Sequence, residues 1–139
     1  MLHKTDLVAV ADGETISIGD FRCEFLPVTH STPKGLISAI RTPQGLILHS
    51  SDFKLDNNPV DGRVTDLDRI AALSKDPGIR LLLCDSTNAE LSGSSISESE
   101  VGDGLEEIFM KFQHERIIAT CFSSHIHRIQ QIIDISKEQ

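Results

Sequence analysis

Two strand–turn–strand patterns in the first fifty residues constrain the fold more than any other feature of this sequence. Residues 14–18 alternate in polarity, and the apolar stretch 21–28 follows a Gly19-Asp20 turn, which together predict a β-hairpin. Residues 37–41 and 46–50 flank a Thr-Pro-Gln-Gly segment, whose proline and glycine suit a β-turn between antiparallel strands. The first part of the chain is therefore predicted to be a meander of strands.

Helical patterns follow in the rest of the chain. Residues 66–75 carry apolar side chains on one side and precede a Pro-Gly stop, which predicts a first helix. Residues 97–113 predict a second helix, with Ser97 as N-cap and Glu100 three residues later in a capping-box pattern. Residues 126–135 predict a third helix, whose inward-facing residues are Ile129, Ile132 and Ile133.

Two apolar runs separate these helices. Residues 79–84 form a continuous apolar run, typical of a strand covered on both faces, and residues 116–122 predict a further buried strand. The three cysteines (Cys23, Cys84 and Cys121) lie in apolar stretches without a C-x-x-C pair, and are predicted to be small buried side chains in a reducing compartment. The order of elements predicts an α/β or α+β fold.

Length and composition limit the class of protein. A chain of 139 residues with 39% apolar residues can bury one core, which excludes a disordered tail. No apolar run approaches the length of a membrane span, and the first residues lack the apolar region of a secretory signal, so a cytoplasmic location is expected. The net charge of −8 argues against broad binding of phosphate backbones by bulk charge. It does not exclude a nucleic-acid enzyme whose carboxylates hold cations.

Side chains suited to chemistry gather directly after four predicted strands, at residues 29–33, 49–54, 85–88 and 123–128. Each cluster alone is ordinary, because histidines and aspartates are common in loops and turns. Together they carry His, Asp, Asp and His, and loops after strands collect in α/β folds. Histidine with carboxylate suits zinc or manganese, and one carboxylate can bridge two ions.

The stretch 123–128 leaves two alternatives open. His125 and His127 share a face if the strand continues through them, and point apart if a helix has already begun. Free N–H groups before a helix form an anion or phosphate site, whereas Ser124 alone could simply cap that helix.

Several motifs resemble bacterial ribonuclease J, a member of the β-CASP branch of the metallo-β-lactamase superfamily. They are V-T-H-S-T-P at 28–33, H-S-S-D-F-K-L-D at 49–56, P-V-D-G at 59–62, D-S-T-N-A-E at 85–90 and S-H-I-H-R-I-Q-Q at 124–131. The resemblance covers nearly the whole chain, in the family's order. It implies part of an αββα metallo-β-lactamase sandwich over residues 1–86, followed by the beginning of a β-CASP domain over residues 87–139.

The resemblance also implies an activity. The family hydrolyses RNA phosphodiesters as a 5′-to-3′ exonuclease and an endonuclease in RNA processing and decay. It uses two metal ions, usually zinc, with manganese as an alternative. RNA is the implied partner, no membrane is involved, and the full-length protein is expected to form a homodimer or tetramer in the cytoplasm.

The family's functional residues map onto matching positions of this chain. His30 would be a zinc ligand and Asp52 the carboxylate that bridges both ions. Asp85 would be the acid of the first β-CASP motif and His127 the histidine of the second. The pocket for RNA phosphate would be lined by Ser123, Ser124, His125, Ile126 and His127.

The sequence departs from the family pattern in ways that affect the expected activity. It lacks the H-x-H-x-D-H loop that supplies most metal ligands, the histidine of the third β-CASP motif and the C-terminal domain. Lys34 replaces a usual acidic residue, and Ser51 a usual glycine. We therefore expect an internal segment of a nuclease that is inactive alone. The alternatives are a natural non-catalytic product that acts in assembly or RNA binding, and another metallo-β-lactamase-type hydrolase.

Overall fold

A computed structural model describes residues 5–138 as five strands and three helices. In chain order these elements are β1 (Thr15–Ile18), β2 (Phe21–Pro27), β3 (Leu36–Thr42), β4 (Gly45–His49), α1 (Leu67–Lys75), β5 (Ile79–Leu83), α2 (Glu98–Lys111) and α3 (Ile126–Glu138). The mixed α/β class predicted from the sequence is confirmed.

The strands form one sheet in the order β1-β2-β3-β4-β5. The first four are antiparallel neighbours, and both predicted hairpins are present, with Ile18 opposite Phe21 and Thr42 opposite Gly45. α1 then carries the chain to β5, which pairs in parallel with β4. As a result β2, β4 and β5 run in the same direction, and the loops that follow them leave from the same end of the sheet.

Gly45 occupies a position that the fold reserves for glycine. Its φ of +133° lies in a region that L side chains rarely adopt, and a Cβ there would lie 2.9 Å from Cδ of Arg80 on β5. A glycine at the start of β4 thus allows both the tight turn and the close approach of the neighbouring strand.

The core lies on one face of the sheet, where α1 covers it. Alternate residues of β2, β3 and β4 point to this face, as the two-residue period of strands requires. The buried cluster consists of Leu26, Val28, Ile37, Ala39, Leu46, Leu48 and Leu73. Each fully buried leucine contributes about 1.5–3 kcal/mol relative to an exposed one, so this cluster holds the sheet and α1 together.

The two C-terminal helices pack against each other and are predicted correctly in their main features. Ser97 is the N-cap of α2, but its side chain accepts the N–H of Ser99 and not that of Glu100, so the predicted capping box is wrong. In α3, Ile129 and Ile132 are half-buried as expected, whereas Ile133 is 42% exposed. A glycine in α2, Gly102, allows the amide of Gln131 to approach closely.

Two apolar runs are less buried in the structure than their sequence predicts. Residues 79–84 do form a strand, but β5 is the edge of the sheet, and Leu81, Leu82 and Leu83 are 46–53% exposed. The strand predicted at 116–122 is wrong, because that segment is irregular and mostly exposed, with Phe122 at 82%. An apolar run becomes a covered strand only when it has both a neighbouring strand and a packing layer. Among the described residues, β5 pairs with β4 but keeps its leucines half exposed, and the segment 116–122 pairs with no strand.

The cysteine prediction is confirmed for one residue of three. Cys23 is buried on β2, whereas Cys84 and Cys121 are exposed and free. Both exposed cysteines lie at the ends of the two apolar runs that the described residues leave uncovered. Among residues 5–138, no helix combines the length and apolar character needed to cross a membrane.

Candidate functional site

A cleft of about 740 Å³ opens at the end of the sheet where β2, β4 and β5 terminate. Loops after these strands form its walls together with the first turn of α3. Five of the site residues singled out in the sequence line it: His30, Asp52, Asp85, His125 and His127. The shared direction of the three strands brings the loops that carry His30, Asp52 and Asp85 together, and the start of α3 adds His125 and His127.

Three other predicted site residues, Ser123, Ser124 and Ile126, lie beside this cleft and are not among its lining residues. Ser124 nevertheless connects two of its walls, because its carbonyl accepts a hydrogen bond from the Thr32 hydroxyl at 3.2 Å. The loop after β2 and the segment before α3 are thus held together across the cleft.

The start of α3 resolves the alternatives that the sequence left open. The helix begins at Ile126, and the Nδ1 atom of His125 accepts the backbone N–H of Arg128 at 3.4 Å. The capping acceptor is therefore His125 and not Ser124. His125 and His127 both line the cleft, but they contact different carboxylates.

Backbone hydrogen bonds fix the loops that carry His30, Asp52 and Asp85. The Lys54 N–H donates to the Thr29 carbonyl at 2.8 Å, which ties the loop after β4 to the loop after β2. The Asp85 N–H donates to the Ser50 hydroxyl at 2.9 Å, which ties the end of β5 to the end of β4. The backbone near each of these predicted site residues is thereby held by a neighbouring loop.

The carboxylate of Asp85 is occupied by its own turn. Its Oδ1 accepts the backbone N–H of Thr87 at 2.9 Å and the Thr87 hydroxyl at 2.7 Å. These hydrogen bonds hold the pKa of Asp85 below its ordinary value, with smaller contributions from the Phe53 N–H and the charge of His30. Asp85 is consequently an ionised carboxylate at neutral pH.

The donor set for a metal ion is incomplete within the part of the chain that the structure describes. No three His, Cys, Asp or Glu side chains among residues 5–138 stand close enough together to hold an ion. His30 and Asp52 face the same cleft, which is consistent with two ligands of a larger set. Two ligands do not fit a closed metal centre.

A group of charged residues that line the same cleft was not predicted from the sequence. Glu98, only 9% exposed, lies in the first turn of α2 and accepts the Arg128 Nε–H at 2.6 Å. Lys54 Nζ lies 3.5 Å from the same carboxylate and His125 Nε2 3.6 Å from it. The sequence analysis assigned Glu98 no role, and only packing shows that Lys54, His125 and Arg128 converge on it.

His125 is mostly buried within this group. Burial lowers the pKa of His125 below its ordinary value of 6.5, and the Glu98 carboxylate acts in the opposite direction without outweighing it. The charge of Arg128 adds to the lowering. His125 is thus a neutral imidazole at pH 7.

The loop after β4 is also hydrogen-bonded to the start of α2. Asp56, 6% exposed, accepts the Glu98 N–H at 2.8 Å through Oδ2 and the Asn58 N–H at 3.0 Å through Oδ1. Burial opposes ionisation of Asp56, but these N–H groups and the Ser97 hydroxyl outweigh it, so its pKa lies below the ordinary value. The second aspartate of the D-F-K-L-D segment therefore has a structural role.

The comparisons with known proteins agree with the resemblance carried by these motifs. The chain is 48% identical to the ribonuclease J of Mycobacterium tuberculosis over 127 residues, which make up 91% of this chain and 22% of that protein. It is 37% identical to the ribonuclease J of a Synechocystis species over 139 residues, or 99% of this chain and 21% of that protein. The chain is similar to a segment of ribonuclease J. It spans about a fifth of the length of these curated relatives.

Comparison of folds gives a second finding. A crystal structure described as a protein of unknown function from Enterococcus faecalis V583 superposes with a TM-score of 0.68 over 93% of this chain and 31% of that one. At 18% identity this likeness concerns the fold alone. No protein-family model matches the chain.

Proposed function

We propose that this chain forms one part of the active site of a ribonuclease J-like RNA phosphodiester hydrolase, an exonuclease and endonuclease of RNA processing and decay. The observation that carries the proposal is the convergence of His30, Asp52, Asp85 and His127 on one cleft. Identity of 37–48% to curated ribonucleases J over more than nine-tenths of the chain supports it.

The proposal includes the domain organisation. Residues 1–86 would belong to a metallo-β-lactamase sandwich, with β1–β5 as one of its sheets, and residues 87–139 would begin the β-CASP domain. The exposed face of β5 supports this arrangement, because it offers an edge and apolar side chains to further layers. The hydrogen bond from the Glu98 N–H to Asp56 would then hold the two domains together.

We propose that this chain supplies two ligands of a metal centre. His30 and Asp52 would contribute to a two-zinc or manganese site, but the described residues alone do not fit such a centre. The remaining ligands would come from outside this chain.

The chain's own residues suit the handling of an RNA phosphate. Lys54 and Arg128 bring positive charge to the cleft wall, and the stretch 123–127 would contact phosphate oxygens at the start of α3. His127 would supply a proton to the leaving oxygen. RNA is therefore the proposed partner, in a cytoplasmic protein that assembles as a dimer or tetramer.

Replacement of Asp52 by alanine in the longer protein that contains this chain tests the proposal. We expect Asp52→Ala to lose bound metal and RNA cleavage together, because a bridging carboxylate holds both ions. Metal content by elemental analysis and cleavage of a labelled RNA are the measurements. Asp103→Ala, an exposed position on α2, is the matched control and should retain both. Unchanged metal content in Asp52→Ala would refute the bridging role.

A further inference from the structure

The aspartate of the P-V-D-G segment at residues 59–62 lies close to His127, in the first turn of α3. Oδ2 of Asp61 lies 3.5 Å from Nε2 of His127, and both residues line the cleft. We propose that Asp61 is the positioning residue of His127, which orients the imidazole toward the leaving group. This inference rests on the proposed function for its catalytic meaning, but the contact itself can be tested without it.

The turn around Asp61 leaves one carboxylate oxygen free for this task. The Gly62 N–H donates to the Pro59 carbonyl at 3.0 Å, and Gly62 adopts a φ of +69°, which glycine accepts without strain. The Arg63 N–H donates to Oδ1 of Asp61 at 3.0 Å. Because Oδ1 is engaged by its own turn, Oδ2 is the oxygen that faces His127.

Arg63, the residue after this turn, is held by Asp12 and by two backbone carbonyls near the end of β2 and the start of β3. The Arg63 guanidinium donates to Asp12 at 2.7 Å through Nε, and to the carbonyls of Val28 at 3.2 Å and Gly35 at 2.8 Å. The hydrogen bond from Arg63 holds the pKa of Asp12 below its ordinary value, so the pair stays ionised at neutral pH. Asp61 is thus presented by a segment fixed at both the backbone and a neighbouring side chain.

The position of His127 restricts what its ring can do. It lies in the first turn of α3, and its side chain is only 16% exposed. Because Nε2 is the ring nitrogen that lies 3.5 Å from Asp61, we assign Nδ1 to the substrate.

In the proposed step His127 is the proton donor. The imidazolium gives the proton on Nδ1 to the leaving oxygen as the P–O bond breaks, and becomes a neutral ring whose Nε2–H remains directed at Asp61. A water oxygen forms the new P–O bond and releases its proton to solvent, and solvent later returns a proton to Nδ1. The Asp61 carboxylate stabilises the imidazolium and holds its orientation, but transfers no proton itself.

The contact is tested first in the 139-residue chain with ¹⁵N-labelled histidine. A ring N–H held by a carboxylate exchanges slowly with water, so we expect a signal that is lost in His127→Gln and also in Asp61→Asn. The asparagine introduced by Asp61→Asn can still accept the Arg63 N–H, so the turn is retained while the acceptor for His127 is lost. Asp103→Asn should keep the signal. A signal that survives Asp61→Asn, or no such signal in the unmodified chain, would overturn the inference.

The catalytic meaning is tested in the longer protein with two RNA substrates, one carrying sulfur in place of the leaving oxygen. A thiolate departs without protonation, so this substrate bypasses the proton donor. We expect Asp61→Asn to lower kcat on ordinary RNA about tenfold or more. KM should change less than about twofold, because binding is not affected. The sulfur substrate should be cleaved at the unmodified rate.

Other outcomes of this assay separate the two proposals. Unchanged kcat on ordinary RNA, or an equal loss on both substrates, would contradict a positioning role for Asp61. If the unmodified protein cleaved neither substrate, the proposed function would fail, while the ring N–H measurement would still decide the contact.

Discussion

At the scale of single residues, the carboxylate of Asp56 connects the loop after β4 to the first turn of α2. Both of its oxygens are engaged, and the side chain is almost fully buried. We expect Asp56→Ala to lower the free energy of unfolding by about 2 kcal/mol, because the buried Glu98 N–H and the partly buried Asn58 N–H both lose their acceptor. Urea denaturation of the 139-residue chain measures this. Asp103→Ala should stay within about 0.5 kcal/mol, and an equal effect of both changes would contradict the structural role.

The buried imidazole of His125 predicts a pH dependence of stability. Its folded-state pKa lies below its ordinary value of 6.5 because of burial, so the unfolded chain takes up the proton first as the pH falls. The stability that His125 contributes is therefore complete above about pH 6.5 and declines as the pH falls toward the folded-state pKa. Unfolding free energies measured at pH 7.5 and 5.5 should fall less in His125→Gln than in the unmodified chain. An identical fall in both proteins would show that another group is responsible.

At the scale of elements, β5 is the least protected part of the sheet. It pairs only with β4 among the described strands, and its three leucines are about half exposed. Exposed apolar sheet edges favour association, so the 139-residue chain should self-associate at high concentration. Leu82→Lys should reduce this association in sedimentation velocity, whereas Leu67→Lys on the exposed side of α1 should not. Unchanged association of Leu82→Lys would place the contact surface elsewhere.

Most of the helices and hairpins could be predicted from the sequence. Hairpins and helices follow from local signals, such as the Gly19-Asp20 turn, the Ser97 cap and the spacing of apolar residues in α2. The strand at 116–122 was predicted wrongly because its apolar composition is local, whereas a strand needs a pairing partner elsewhere in the chain. The exposure of β5 was missed because its apolar composition does not show whether another layer covers the strand.

The candidate site was predictable to the extent that it depends on strand direction. Sheet topology brings His30, Asp52 and Asp85 to one cleft, whereas His127 reaches it on α3, because the segment 116–122 before that helix is irregular. The contacts of Glu98 depend on how α2 packs against α3 and the loop after β4, and no local pattern carries that information. The contact between Asp61 and His127 is of the same kind, since it joins a turn to a distant helix.

At the scale of the whole molecule, the 139 residues hold two expected metal ligands and a cleft with five of the expected site residues. We therefore predict no RNA cleavage by the 139-residue chain with zinc or manganese added, since the donor set is incomplete. Incubation of the purified chain with labelled RNA measures this, with the longer protein as positive control. Metal-dependent turnover by the short chain alone would contradict the account. Retention of RNA on a filter should be weak and fall steeply with salt, given the net charge of −8.

We propose that this chain is one part of a larger metal-dependent nuclease site. The DNA sequence on both sides of the codons for Met1 and Gln139, translated in the same frame, tests it most directly. The account predicts an H-x-H-x-D-H motif upstream, which would supply the missing metal ligands, and a further histidine motif downstream. A stop codon directly upstream in that frame would contradict the claim, and the cleft would then have to act in binding or assembly.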